Sequence, residues 1–279
     1  MPTTASHDAF TTSDQTTIAF TRHPAPLDDA RGKPRAGAPR LVLIHSLALD
    51  RHVWDDVAAR LQPHAEVITY DCRGHGQSDR KPGPYTAESF AGDLAQLLDH
   101  VGWDAVAVAG CSMGGCVALA FAGLHPARVT ALGLIDTTAW YGEDAPKAFR
   151  TRADAARAKG MRELVGFQVT RWFSDAYAAA NPPAMQRAVD TFVANDFECY
   201  AASCALLGDA DARKYLRSLR MPVAIVVGEE DYATPVAMAQ FLHEQIPHST
   251  LTVLPKARHL TPIEHPDAVA SAIRGVLRA

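Results

Sequence analysis

Six short apolar runs recur along the chain, and each of them is continuous rather than alternating. Continuous apolar runs are typical of parallel strands that are covered on both faces. Helical patterns separate several of the runs, and this alternation predicts an α/β fold with a mainly parallel central sheet flanked by helices. The predicted strands occupy residues 41–44, 67–70, 105–109, 131–135, 223–227 and 251–254.

The segments around the predicted strands carry their own signals. A helix is predicted between Thr86, a suitable N-cap, and Gly102, a suitable stop, and another begins near Pro266. Residues 10–22 contain alternating, threonine-rich stretches, which predict an opening antiparallel hairpin. The segment rich in proline and glycine over residues 24–39 then predicts a loop.

One interval breaks the alternation, because a long segment without a predicted strand separates residue 135 from residue 223. This segment is rich in alanine and aromatic residues, which predicts helices rather than disorder. We therefore expect a core formed by residues 1–136 and 216–279, and an inserted helical cap formed by residues 137–215.

Composition limits the possible partners. The 279 residues are 48% hydrophobic and 21% charged, and their net charge of -4 shows no basic bias. The basic cluster Arg31, Lys33, Arg35 and Arg40 is interleaved with glycine and proline, so we interpret it as a solvated loop and not as a nucleic-acid site. No apolar run approaches the ~20 residues of a membrane span. The polar start of the chain does not resemble a signal peptide, so we expect a cytoplasmic protein.

The sequence GCSMGG at residues 110–115 follows the third predicted strand and opens an apolar helical segment. A G-x-S-x-G sequence between a strand and a helix is a nucleophile elbow, a turn tight enough to hold a serine hydroxyl clear of the backbone. Ser112 is therefore the candidate nucleophile of a serine hydrolase. We expect Gly114 and Gly115 to serve packing, because a side chain there would collide with the strand that delivers Ser112. Cys111 precedes the elbow position, so its side chain should point elsewhere.

A serine nucleophile needs a base within reach, and the base needs an acid to orient it. With this elbow, the expected order along the chain is serine, acid, histidine. Asp231 follows the fifth predicted strand and so lies at the carboxyl edge of the sheet, where α/β active sites form. His259 follows the last predicted strand and is the candidate base. Glu229, Glu230 and Asp136 compete with Asp231 for the role of the acid, and Asp231 is favoured.

The tetrahedral intermediate of such a reaction needs backbone N–H donors that point at its oxyanion. Met113 follows the nucleophile and begins a helix, so its amide is the first candidate. The second donor is expected in the loop after the first predicted strand, where Leu47 is preferred and Ala48 is the alternative. Residues 71–79 form a polar loop after another strand, and we interpret them as a structural turn.

Several segments of the chain resemble the α/β-hydrolase fold family, and the similarity runs from about Ile18 to the C-terminus. The motifs that carry it are DCRGHGQSD at 71–79, GCSMGG at 110–115, GEEDYATP at 228–235 and ARHLTPIEHPD at 257–267. A narrower resemblance is to 3-oxoadipate enol-lactonases, because residues 45–47 read HSL instead of the commoner HG. Within the insertion, the stretches that are similar to the cap of that family are RWF at 171–173, ANP at 180–182, CYAASC at 199–204 and DADAR at 209–213.

The resemblance implies the roles given above for Ser112, Asp231 and His259. It also places Arg171 and Trp172 on the substrate-facing motif of the cap. A substrate with a free carboxylate needs a cation, so Arg171 is a candidate clamp, and the alternative is a solvated helix residue. The aromatic side chain of the insertion that we expect to contact the substrate as well is Trp140.

The implied function is hydrolysis of a carboxylic ester or lactone through an acyl-enzyme, with an enol-lactone of aromatic-compound catabolism as the expected small-molecule partner. The alternatives with the same residues are a general carboxylesterase, a cofactor-free perhydrolase and a carbon–carbon bond hydrolase. A ligand-binding receptor with this fold is an alternative from another class. The chemistry requires no metal or organic cofactor, and five cysteines without C-x-x-C spacing argue against a disulfide framework or a zinc site.

Overall fold

The computed structural model of the protein describes residues 5–24, 27–28, 33–34 and 37–277. Its strands in chain order are β1 (Ser6–Thr11), β2 (Thr17–His23), β3 (Leu27–Asp28), β4 (Lys33–Pro34), β5 (Arg40–Ile44), β6 (Glu66–Tyr70), β7 (Val106–Cys111), β8 (Val129–Ile135), β9 (Val223–Gly228) and β10 (Ser249–Leu254). Eight of them form one sheet in the order β1-β2-β6-β5-β7-β8-β9-β10, and β3 pairs with β4 separately.

Helices alternate with the strands as predicted. In chain order they are α1 (Asp55–Leu61), α2 (Ala87–His100), α3 (Met113–Leu124), α4 (Ala145–Lys159), α5 (Val165–Trp172), α6 (Asp175–Ala180), α7 (Pro182–Val193), α8 (Phe197–Asp209), α9 (Arg213–Leu216), α10 (Val236–Gln245), α11 (Thr261–Glu264) and α12 (Pro266–Leu277). Short 3-10 turns cover Arg51–Trp54, Pro126–Arg128 and Met161–Leu164. No described helix has the length and apolar content that a membrane crossing requires.

The start and the end of α2 confirm the predicted signals. The Thr86 hydroxyl accepts a hydrogen bond from the Ser89 amide at 2.9 Å, and the Ser89 hydroxyl accepts one from the Thr86 amide at 3.0 Å. This reciprocal pair is a capping box. Gly102 lies two residues beyond the helix with φ of 70°, a conformation that favours glycine.

The opening hairpin is confirmed, because β1 and β2 pair antiparallel. The Thr12 amide closes the turn by donating to the Thr16 carbonyl at 2.9 Å. The predicted loop over residues 24–39 differs from expectation in one respect, since it contains the antiparallel pair β3 and β4. Arg31 and Arg35 of the basic cluster lie outside the described residues.

The six predicted strands of the parallel sheet are present, each within two residues of its predicted bounds. Strands β5 to β9 are buried along almost their whole length, which fits the expectation of two covered faces. Strand β10 differs from the expectation of two covered faces. It lies at the edge of the sheet and has a neighbouring strand on one side only. Its exposed residues are Thr250, Thr252 and Val253.

Helices α4 to α9 fill the interval between β8 and β9, so the insertion is helical as predicted. The predicted boundary between residues 215 and 216 falls inside α9. The division into a core and a cap therefore stays a prediction at that end.

Candidate active site

The nucleophile elbow forms where β7 meets α3. Ser112 has φ of 54° and ψ of -115°, a conformation that is costly for a residue with a Cβ atom. Its amide donates to the Ile135 carbonyl at 2.9 Å. Its carbonyl accepts hydrogen bonds from the Thr137 hydroxyl at 2.7 Å and from the Gly115 amide at 2.8 Å. These contacts hold Ser112 in a strained turn between the strand and the helix.

Three glycines allow the backbone segments around the elbow to approach one another. A Cβ atom on Gly110 would lie 2.0 Å from the Gly114 carbonyl oxygen, and one on Gly114 would lie 2.2 Å from the Ile44 carbonyl oxygen. A Cβ atom on Gly115 would lie 2.4 Å from the Thr137 side chain. A side chain at Gly114 or Gly115 would therefore collide, but the nearest atoms belong to the end of β5 and to Thr137, just after β8, and not to β7.

Ser112, His259 and Asp231 form an unbroken chain of hydrogen bonds. The Ser112 hydroxyl lies 2.9 Å from His259 Nε2, and His259 Nδ1 lies 2.8 Å from Asp231 Oδ2. A carboxylate only accepts, so Nδ1 carries the proton and Nε2 is free to accept from the serine. The amides of Ala233 and Thr234 donate to Asp231 Oδ1 at 2.8 and 2.9 Å.

The pKa of the Asp231 carboxyl reflects opposing effects. Burial acts to raise this pKa, but the charge and hydrogen bond of His259, with the hydrogen bonds from Thr234, lower it below its usual value. The carboxylate form is therefore the one that faces the histidine at neutral pH.

The competing carboxylates have other partners. Glu229 accepts a hydrogen bond from the Lys256 amide at 3.0 Å, and Glu230 lies 3.6 Å from the Arg258 guanidinium. Asp231 is the carboxylate that reaches the histidine ring.

Asp136, the remaining competitor, is fully buried and takes a supporting position. Its Oδ2 atom accepts hydrogen bonds from the Thr261 amide at 2.9 Å and the Thr261 hydroxyl at 2.7 Å, and its Oδ1 atom accepts one from the Gly228 amide at 3.3 Å. Burial, reinforced by the negative charge of Asp231, raises the pKa of Asp136 well above its usual range. Asp136 thus ties the end of β9 to the segment that follows His259.

The two candidate oxyanion donors lie at the start of α3 and in the loop after β5. Met113 is the first residue of α3, so its amide has no acceptor within the helix. Leu47 lies in a turn that the Leu49 amide closes onto the Ser46 carbonyl at 3.3 Å. Ala48, the alternative donor, is buried in the same turn with φ of 57°.

Two buried histidines support this turn. His45 Nδ1 donates to the Ser46 carbonyl at 2.7 Å, and His45 Nε2 accepts from the Cys72 amide at 2.9 Å. The ring of His75 lies 5.0 Å from that of His45, measured between centroids. Burial lowers the pKa of His45 to about 4 and that of His75 to about 3, so both rings are neutral at neutral pH. The polar loop over residues 71–79 therefore packs against the turn, as a structural element would.

A cavity of about 340 Å³ lies beside Ser112 and His259. Leu47, Arg171 and Trp172 line it too, so the structure brings most of the predicted site residues together. Trp172 is almost fully buried, whereas Arg171 is half-buried. The cavity is therefore bounded by the core on one side and by the insertion on the other.

Trp140 does not line this cavity, which corrects the expectation for that residue. Its backbone pairs with Asp211, and the Arg213 guanidinium lies 3.8 Å from the centroid of its ring. Successive side chains of an extended segment point to opposite sides. Tyr141, the next residue, lines the cavity instead.

Sequence reasoning missed five polar residues of the cavity lining, which are Tyr141, Asp144, Arg152, Gln168 and Tyr232. Gln168 precedes Arg171 by three residues in α5, so the helical period was a signal that could have identified it. Arg152 belongs to α4, whose sequence is rich in charged residues and resembles a solvated helix. Nothing in the local sequence distinguishes it.

The loop that carries His259 bonds directly to the insertion. The His259 amide donates to the Arg171 carbonyl at 3.2 Å, and the Leu260 amide donates to the Trp172 carbonyl at 3.0 Å. Because both acceptors are at the end of α5, the last carbonyls of that helix are satisfied by the core.

Arg258 adds side-chain contacts to the same junction. Its Nη1 atom donates to the Thr170 carbonyl at 3.1 Å and to the Phe173 carbonyl at 2.8 Å. It also pairs with Asp175 at 2.9 Å. We call residues 170–175 and 258–260 together the clasp.

Comparisons with known proteins agree with this architecture. The sequence profile of the alpha/beta hydrolase fold family matches residues 39–266. The chain is 33% identical over 244 residues to 3-oxoadipate enol-lactonase 2 of Acinetobacter baylyi. This alignment covers 88% of this chain and 90% of that protein.

Solved structures give the same result. The enol-lactonase from Burkholderia xenovorans LB400 superposes with a TM-score of 0.89 and 30% identity over 98% of this chain and 100% of that one. A thermophilic esterase from Thermogutta terrifontis, described as malate bound, gives a TM-score of 0.86 and 28% identity over 98% of each chain. The chain belongs to the alpha/beta hydrolase fold family.

Proposed function

We propose that the protein hydrolyses carboxylic esters or lactones through an acyl-enzyme, with Ser112 as the nucleophile, His259 as the base and Asp231 as the acid. The observation that carries this proposal is the chain of hydrogen bonds from the Ser112 hydroxyl to the Asp231 carboxylate beside a cavity of substrate size. Such a chain makes the serine a nucleophile, because the histidine takes its proton as the bond to carbon forms.

In the first step, Ser112 Oγ attacks the carbonyl carbon and its proton moves to His259 Nε2. The carboxylate of Asp231 stabilises the imidazolium that results. The amides of Met113 and Leu47 are the proposed donors to the oxyanion.

Collapse of the intermediate breaks the carbon–oxygen bond, and His259 returns its proton to the leaving oxygen. In an enol-lactone the ring opens at this point, and the enol tautomerises to a ketone. Water then attacks the acyl carbon and gives a proton to His259. The histidine passes this proton to Ser112 as the carboxylic acid leaves.

The preferred substrate class is a small enol-lactone, such as those formed in the catabolism of aromatic compounds. The support is that 3-oxoadipate enol-lactonases are among the most similar relatives at 33% and 31% identity. We propose that residues 137–215 act as a cap that contributes Arg171 and Trp172 to the substrate site. Arg171 lines the cavity and is available to bind a substrate carboxylate.

A general carboxylesterase is the second candidate, because one of the similar solved structures is described as an esterase. The two candidates share the proposed acyl-enzyme and differ in the alcohol that leaves. Relative turnover of lactones and open-chain esters therefore separates them.

A panel of small lactones and 4-nitrophenyl esters, assayed with the wild type and with Ser112→Ala, tests the proposal. We expect the variant to lose activity by about 10,000-fold or more. Ser203→Ala is the matched control, because Ser203 is buried outside the cavity and should leave turnover intact.

A fluorophosphonate probe gives a second measurement, and it should label Ser112 in the wild type. If neither substrate class is turned over and Ser112 is not labelled, the proposal is wrong. Lactone turnover well above ester turnover would favour the lactonase over the esterase.

A further inference from the structure

The turn that carries the candidate oxyanion donor Leu47 contains a strained residue. We call residues 46–49 the oxyanion turn, which the Leu49 amide closes onto the Ser46 carbonyl. Ala48, its third residue, has φ of 57°, whereas the φ of Leu47 is negative. This combination is typical of a type II turn, in which the third position favours glycine. Ala48 has a Cβ atom, so its conformation costs free energy and persists only where the surroundings hold it.

Two hydrogen bonds from nearby groups hold the first half of the oxyanion turn. His45 Nδ1 and the Leu49 amide both donate to the Ser46 carbonyl, at 2.7 and 3.3 Å. The Ser46 carbonyl and the Leu47 amide belong to one planar peptide unit. Holding the carbonyl therefore also directs the Leu47 amide. Neither hydrogen bond reaches Ala48, the strained residue.

The second half of the oxyanion turn is held by the insertion. Asn195, which lies between α7 and α8, donates from Nδ2 to the Ala48 carbonyl at 2.8 Å. In the described part of the chain, no other donor reaches this carbonyl. Ala48 is fully buried, and a buried carbonyl that loses its donor costs free energy. The hydrogen bond from Asn195 therefore favours the strained conformation over the alternatives.

The Asn195 side chain is anchored in the insertion by the helix that precedes it. Its Nδ2 atom also donates to the Thr191 and Phe192 carbonyls, at 2.9 and 3.1 Å. Both carbonyls lie in the last turn of α7, where a helix leaves acceptors free. The fully buried Phe192 ring packs edge-on against Trp172, with 5.5 Å between the ring centroids. The oxyanion turn is thus joined through one side chain to the part of the insertion that carries the clasp.

We propose that Asn195 is a positioning residue, which keeps Ala48 in its left-handed conformation and thereby aims the Leu47 amide at the oxyanion. Without Asn195, Ala48 relaxes to a negative φ, which rotates the peptide between Leu47 and Ala48 and displaces the donor. The insertion then controls both sides of Ser112, His259 through the clasp and the oxyanion donor through Asn195. This inference rests on the proposed function, because an oxyanion forms only when Ser112 attacks a carbonyl.

Asn195→Ala tests the role with 4-nitrophenyl butyrate as the substrate. We expect kcat to fall by about 10-fold or more while KM changes by less than about twofold, because an oxyanion donor acts in the transition state. A trifluoromethyl ketone forms a tetrahedral adduct with a serine nucleophile and so reports on the same donor. Its Ki should rise by the factor by which kcat/KM falls. A loss of folding stability alone would not produce this correlation.

Asn181→Ala is the matched control. Asn181 Nδ2 donates to the Tyr177 carbonyl four residues earlier, at 3.1 Å, so it caps α6 as Asn195 caps α7, without a contact to the oxyanion turn. Asn181→Ala should therefore keep the wild-type kcat. Asn195→Asp keeps the size of the side chain and removes its donors, so it should lose at least as much activity as Asn195→Ala.

A second substitution tests whether strain at Ala48 is the reason for the effect. Glycine accepts a positive φ without strain, so Asn195→Ala should cost less activity in an Ala48→Gly background than in the wild type. If folded Asn195→Ala keeps the wild-type kcat and Ki, if Asn181→Ala loses as much, or if the loss is equal in both backgrounds, the proposed role is wrong.

Hydrogen exchange of the Leu49 amide separates this inference from the proposed function, because it needs no catalysis. Exchange should be about 10-fold faster or more in Asn195→Ala than in the wild type, and unchanged in Asn181→Ala. If no ester or lactone is hydrolysed but this difference is found, the hydrolase proposal fails and the support of the oxyanion turn by Asn195 stands. If the wild type is active and Asn195→Ala leaves the exchange unchanged, the positioning role fails and the hydrolase proposal stands.

Discussion

Ser112 and His259 face each other across a single hydrogen bond, but different parts of the molecule hold them. Ser112 is held by the core, because β7 is buried throughout and the glycines of the elbow touch neighbouring strands. His259 lies in a loop that is held from two sides, by Asp136 through Thr261 and by the clasp through Arg171. The position of Ser112 thus depends on the sheet, whereas the position of His259 depends on the insertion as well.

Because of this difference, substitutions in the two regions should affect stability and activity differently. A change in the elbow disturbs close backbone contacts of the core and should affect both properties. A change in the clasp should disturb the position of His259 while the sheet stays folded.

Two substitutions at Ser112 address the core side. Ser112→Ala and Ser112→Gly both lack the nucleophile, so hydrolysis of a 4-nitrophenyl ester should fall by about 10,000-fold or more in each. Glycine accepts a positive φ without strain, so Ser112→Gly should have a free energy of unfolding in urea about 1 kcal/mol above that of Ser112→Ala. Equal stabilities would show that the backbone conformation at this position stores no strain.

Two carboxylates can be compared on the histidine side. Asp231→Asn should lower kcat by about 10,000-fold, because an amide favours the wrong tautomer of His259. Asp136→Asn keeps an acceptor for Thr261 and should lower kcat by only about 10-fold, through a small displacement of the loop. The measurement is steady-state ester hydrolysis at neutral pH. A larger loss in Asp136→Asn than in Asp231→Asn would reverse the two roles.

Arg258→Met addresses the clasp. The variant loses the hydrogen bonds to the Thr170 and Phe173 carbonyls, so kcat should fall by about 5- to 10-fold as His259 becomes less well positioned. The midpoint of urea unfolding should change little, because the sheet is not involved. Arg162→Met, at an exposed arginine of the insertion, is the control and should behave like the wild type. If Arg258→Met lost stability together with activity, the clasp would contribute to the stability of the core and not only to the position of His259.

The histidines behind the oxyanion turn predict a dependence of stability on pH. The pKa of His75 is lowered to about 3, so the unfolded chain binds a proton below pH 6.5 that the folded chain does not take up until much lower pH. The contribution of His75 to the free energy of unfolding should therefore be fully present above pH 6.5 and decrease as the pH is lowered. Between pH 8 and pH 6, His75→Asn should lose about 1 kcal/mol less free energy of unfolding than the wild type. Equal losses in the wild type and in His75→Asn would show that other groups cause the dependence of stability on pH.

The strands and the order of the site residues could be predicted from the sequence for one physical reason. A parallel strand that is buried on both faces has apolar residues at consecutive positions. The carboxyl ends of such strands meet at one edge of the sheet. Ser112, Asp231 and His259 each follow such a run, so their proximity follows from topology. The exposure of β10 could not be predicted, because it depends on the position of the strand within the sheet.

The cavity wall from the insertion was less predictable. Arg171 and Trp172 are predicted through a resemblance, whereas Arg152 requires knowledge of how α4 packs against α8. Trp140 was misplaced, because its pairing with Asp211 joins residues far apart in the chain. Helix packing and long-range pairing decide these positions, and neither leaves a local pattern.

The backbone hydrogen bonds from the His259 segment to the end of α5 have a mechanical consequence. If that helix moved away from the core, the His259 segment would move with it, and the hydrogen bond between His259 and the Ser112 hydroxyl would break. In the proposed mechanism, the protein would then be inactive. The exposed ring of Tyr232 lines the same cavity, so the cavity has a solvent-facing residue on the core side while the helix stays in place.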